Sequence, residues 1–79
     1  VGLAIDGDGN VYETDPYDDR IQVFNPEGQY LREWGTYGEG DGEFAFPTGL
    51  AIDGHCNVYV AETFNYRIQV FRRVILNGA

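Results

Sequence analysis

Residues 2–7 (GLAIDG) recur as residues 49–54, residues 10–12 (NVY) as 57–59, and residues 20–24 (RIQVF) as 67–71, always at an offset of 47 with no gap. Of the 23 aligned positions, 14 are identical. Chance does not produce such a match. The two segments are copies of one structural unit, and whatever fold this chain adopts has to accommodate that unit twice.

Within the unit the signals are those of short strands. Leu3, Ala4 and Ile5 form a first small, branched run, and residues 6–10 (DGDGN) carry the Asp-Gly chemistry of a hairpin turn. Residues 11–14 read as the second strand. Residues 15–19 (DPYDD) read as a turn, because Pro16 cannot donate to a central ladder. Residues 20–24 make the third strand, residues 25–28 (NPEG) a turn with Pro second and Gly fourth, and residues 29–34 the fourth strand. No stretch shows helical periodicity.

These strands are apolar on both sides: Ile21 and Val23 lie on one face of the third strand and Phe24 on the other. A sheet with two apolar faces has to be covered twice. Small meanders stacked radially do this, and propeller blades repeat about every 40–50 residues. The expected fold class is all-β, built from antiparallel four-stranded β-propeller blades, about two per chain. The expected units are a first blade over residues 1–37, a Gly-rich connector over 38–48, and a second blade over 49–79 whose fourth strand is divergent or incomplete. Residues 74–76 (VIL) are the candidate for a substitute fourth strand.

Charge narrows the partners. The net charge is −8, and the five basic residues, all Arg, form no patch. That excludes the clustered cations needed for nucleic acid or an anionic membrane surface. No apolar run approaches the roughly 20 residues of a membrane-spanning helix. A single cysteine, Cys56, excludes an intrachain disulfide.

The motifs together carry a family resemblance. Residues 34–53 (WGTYGEGDGEFAFPTGLAID) and 57–71 (NVYVAETFNYRIQVF) resemble the NHL repeat. Its pattern runs from a glycine-spaced linker through Pro-x-Gly-hydrophobic-Ala-hydrophobic-Asp to Asn-x-Tyr-Val-Ala-Asp and Asn-x-Arg-Ile-Gln-Val-Phe. The first copy departs from it at Glu13, Thr14, Asp18 and Asp19, the second at Glu62, and the match stops after Phe71. The resemblance implies a six-bladed ring. It leaves function open, since such rings bind RNA or protein in tripartite-motif proteins, serve as sensor ectodomains in bacterial receptor kinases, and form a metal-dependent peptide-amidating lyase.

The residues themselves favour a non-enzymatic scaffold or binding module. Asp15 and Arg20 recur as Glu62 and Arg67, at the two ends of one loop, and read as structural ion pairs. No His or nucleophile stands with these acids, so no catalytic residue is assigned. His55 and Cys56 are adjacent but lack the further ligands zinc needs, and the 6–10 segment lacks the distal Glu of a calcium loop. No metal and no cofactor is expected. The equivalent loops Tyr17, Asp18, Asp19 and Phe64, Asn65, Tyr66, with Phe46 and Thr48 on the same face, read either as partner-binding or as packing between blades. The partner expected first is the chain itself, three copies giving six blades, and second a peptide or protein. The alternative is a piece of a larger propeller protein, a receptor ectodomain or an enzyme, whose functional residues lie on other blades.

Overall fold

The turn at residues 6–10 shows how the repeated motif builds a hairpin. Asp6 Oδ1 accepts the backbone N–H groups of Asp8 (2.9 Å) and Asn10 (3.0 Å), and Oδ2 accepts Asn10 Nδ2 (3.1 Å) and the Tyr12 hydroxyl (3.2 Å). Asp53 repeats this with His55, Asn57 and Tyr59, at 2.8 to 3.1 Å. One carboxylate thus organises a turn that would otherwise leave donors unpaired. Hydrogen bonds from Asn57, His55 and Tyr59 hold the Asp53 carboxyl at about 2. Both carboxylates are engaged by the chain itself, in the hairpin-turn role.

In the computed structural model, which describes residues 2–72, the chain forms seven strands among those residues. They are β1 (Leu3–Ile5), β2 (Val11–Asp15), β3 (Arg20–Phe24), β4 (Tyr30–Trp34), β5 (Pro47–Ile52), β6 (Val58–Glu62) and β7 (Arg67–Phe71). All pairings are antiparallel. The first sheet is a meander in the order β1-β2-β3-β4, the second a meander in the order β5-β6-β7. The architecture is all-β, as the turn spacing predicts. β5 starts at Pro47, within the stretch read from sequence as connector; as the first residue of its strand, Pro47 takes no central ladder position. The strand expected at residues 74–76 lies outside the described residues.

The two sheets pack face to face. Tyr12, Ile21 and Val23 from the first and Val58 and Val60 from the second form the buried core, with Trp34, Leu50, Ile52 and Phe71 packed against it. The registers place Tyr12 opposite Val23 on one side of the first sheet, and Val58 opposite Phe71 on one side of the second. The buried faces are therefore different faces of the same repeat. Ile21 and Val23 are 0% exposed, whereas their copies Ile68 and Val70 are 66% and 48% exposed on the outer side of the second sheet. In the opposite sense, Leu3 and Ile5 are exposed on the outer side of the first sheet, while their copies Leu50 and Ile52 pack inward. Of these four copies, only Ile68 and Val70 therefore lie on an outer surface, and Ile21 and Val23 are core.

The glycine-spaced connector plugs one end of the core. Phe44 is 0% exposed, 5.7 Å from the Phe71 ring, and that ring lies 5.3 Å from Trp34. Gly35 admits it: its φ is +113°, and a Cβ there would stand 2.5 Å from the Phe44 ring. Gly35→Ala therefore combines a backbone penalty with an overlap, and should destabilise the chain by more than about 1 kcal/mol. A thermal melt followed by far-UV circular dichroism checks this; an unchanged midpoint would show that the connector does not seat Phe44 through Gly35.

Candidate functional site

The candidate residues gather at the end of the molecule that carries the β2–β3 and β6–β7 loops. Each loop is closed by the repeated acid and arginine, which face each other across the first rung of the ladder as Asp15 with Arg20 and Glu62 with Arg67. The two pairs differ in setting. Arg20 Nε lies 3.3 Å from Asp15 Oδ2, and its other nitrogens reach Glu33 (3.1 Å) and Asp18 (3.5 Å) near solvent. Arg67 Nε donates to Glu62 Oε2 at 2.7 Å, and the Glu62 side chain is 0% exposed.

Glu62 is the hub of this end. Besides Arg67, it accepts from Gln69 Nε2 (2.8 Å), Asn65 Nδ2 (2.7 Å) and the backbone N–H of Ala45 (3.3 Å). Burial alone would raise its carboxyl, but the hydrogen bonds from Arg67, Asn65 and Gln69 and the charge of Arg67 outweigh burial and hold it below the usual glutamate value. Arg67 then fastens the connector, donating to the backbone oxygens of Glu39 (2.6 Å), Gly40 (2.9 Å) and Glu43 (2.9 Å). Gln69 adds a bond to the Glu43 oxygen at 2.7 Å. These acids are occupied as structural acceptors.

Tyr17, Phe46 and Phe64 meet. The Tyr17 ring stands edge-on to Phe46, with centroids 5.7 Å apart, and Phe46 stacks on Phe64 at 4.9 Å and 20°. Tyr17, Phe64 and Tyr66 are exposed, and Phe46 is half-buried. The other candidates are tied into the chain. Asp19 Oδ1 accepts the Phe46 N–H at 2.8 Å, Thr48 and Thr63 share a hydroxyl hydrogen bond of 2.9 Å, and Asn65 Nδ2 also donates to the Gly38 oxygen at 2.9 Å. Asp18 keeps its carboxylate 63% exposed beside Arg20.

No protein-family model matches this sequence, and no curated protein matches it. The functional reading therefore rests on the residues and their geometry.

His55 and Cys56 lie in the turn before β6, at the opposite end of the hairpins, beside Gly54, Asn57 and Arg72 in a shallow open cleft. Among the described residues no group of three or more His, Cys, Asp or Glu side chains is placed to hold a metal ion. Two features of the end that carries the β2–β3 and β6–β7 loops were not read from the sequence. One is the seating of Phe44, which looks like one apolar residue in a loop. The other is the hold of Arg67 on connector carbonyls, since backbone acceptors leave no mark in a sequence.

Proposed function

We propose that this chain is a non-enzymatic β-propeller scaffold of NHL type, that each sheet is a blade, and that copies close a ring by packing head to tail. One observation carries the reading. The interface inside the chain joins one face of the repeat (Tyr12, Ile21, Val23) to the other face of its copy (Leu50, Val58, Phe71). The outer surfaces carry the same two faces again, Tyr59, Ile68 and Val70 on the second sheet and Leu3, Ile5, Val11 and Phe24 on the first. Uncovered apolar faces of this kind mark interaction surfaces. Because the two differ, the contact is heterologous and closes at a fixed number of copies or runs on as a filament. Three copies give six blades. The same faces also suit the second reading, in which flanking blades of a longer chain cover them and any further activity resides there.

The mass in solution distinguishes these. Sedimentation equilibrium is expected to show a species of three 8.9 kDa chains. Ile68→Asp should weaken the association roughly a hundredfold, because burying an isoleucine side chain is worth about 1.5–3 kcal/mol and a desolvated charge adds to the loss. Since Ile68 is exposed within the chain, the β signal of the variant should survive. Glu13 occupies the place of the buried Val60, so Glu13→Val should tighten the contact. A stable, folded monomer at high concentration sinks the ring and favours the longer array.

A further inference from the structure

The rings of Tyr17, Phe46 and Phe64 form a continuous shelf across the two repeats, and nothing in the core or in the sheet faces uses it. Tyr17 is 85% exposed and Phe64 65%. The shelf is held from below. The Phe46 N–H donates to Asp19, its oxygen accepts the Thr63 N–H at 3.1 Å, and the Ala45 oxygen accepts the Phe64 N–H at 3.2 Å. The strand-end loops therefore present a preorganised aromatic surface rather than single side chains that happen to be outside. Its setting is acidic. Asp18 adjoins Tyr17, and Glu39 and Asp41 lie on the connector beside the β6–β7 loop. The two arginines at this end, Arg20 and Arg67, already donate to protein oxygens.

We propose that this shelf binds an extended cationic peptide, seating an arginine side chain against the rings of Phe64 and Tyr17 with Asp18 balancing its charge. A planar guanidinium suits the surface better than an ammonium, because it stacks on aromatic faces while keeping donors free for carboxylates. The chain's excess of acids draws such a peptide in, and the draw weakens with salt. The shelf is complete within one chain and stands apart from the outer sheet faces, so the site does not rest on ring closure.

The test is a calorimetric titration of the full chain with an acetylated hexapeptide of alternating glycine and arginine, at low and physiological salt. Saturable binding at one peptide per chain is expected. Phe64→Leu keeps an apolar side chain but removes the ring, and should weaken binding by about twofold to thirtyfold. Tyr17→Leu, at a ring that is mostly in solvent, should do the same without touching the core, and serves if Phe64→Leu loses its β signal. Asp18→Asn should weaken binding less and flatten its salt dependence, and the lysine version of the peptide should bind more weakly than the arginine version. Ile68→Asp, which breaks the proposed ring contact, should leave peptide binding unchanged. Failure of the arginine peptide to bind, equal binding by a glutamate version, no loss in either leucine variant, or preference for a uridine-rich oligonucleotide would each overturn the proposal.

Discussion

Glu62→Ala is expected to cost about 3–5 kcal/mol, the range for removing one partner from a buried charged network. The loss comes from what stays behind: the Arg67 guanidinium, the Gln69 and Asn65 amides and the Ala45 N–H all donate to this one carboxylate. The equivalent Asp15→Ala, at the same position in the first repeat, should cost no more than about 1 kcal/mol, because its pair is near solvent and screened. Urea unfolding of the two variants measures the contrast, and similar losses would mean that burial does not set the worth of these pairs. A cycle with Arg67→Ala should show strong coupling to Glu62, and simple additivity would show none. Acid should reproduce the effect. The folded Glu62 carboxyl lies below its ordinary value of 4.5, so its contribution is fully present above that pH and disappears as pH falls through the folded value. Glu62→Gln should therefore be less stable at neutral pH but lose less on acidification.

Phe44→Ala is expected to cost about 3–5 kcal/mol, the range for truncating a buried aromatic side chain. At roughly 0.05–0.15 kcal/mol per residue, 79 residues hold about 4–12 kcal/mol in total, so the loss takes a quarter of it or more. The melting midpoint should fall steeply, with Trp34 fluorescence shifted red as its neighbour Phe71 loses support. Phe44→Leu should recover a large part of the loss because it leaves a smaller void. A melting midpoint near that of the wild type for Phe44→Ala would show that the connector rests on the sheets without sealing them.

The two predictions come from different depths of the sequence. The acid and arginine of each pair are visible as a recurrence at fixed spacing, and antiparallel registry brings them together without further information. Their unequal worth is not visible, because it depends on how a neighbouring element covers each pair: connector carbonyls close over Arg67 and Glu62, whereas Arg20 and Asp15 stay near solvent. Phe44 is less legible still. In a run of glycines and acids it reads as a linker residue, and only the left-handed turn at Gly35 and the rings of Phe71 and Trp34 make it core.

The sequence by itself determined the strands, their turns and their antiparallel order, because these rest on interactions within about ten residues. Asp6 and Asp53 gather their own turn donors, Pro16 and Pro26 break the ladder, and alternation assigns side chains to two faces. It also determined that both faces are apolar. Which of them becomes core was decided only by the tertiary structure. Residues 20–24 and 67–71 share the sequence RIQVF, yet Ile21 is 0% and Ile68 66% exposed. Local chemistry is identical in the two strands, so no local rule could separate them. The difference arises because a sheet has two sides and the single partner sheet covers one side of each.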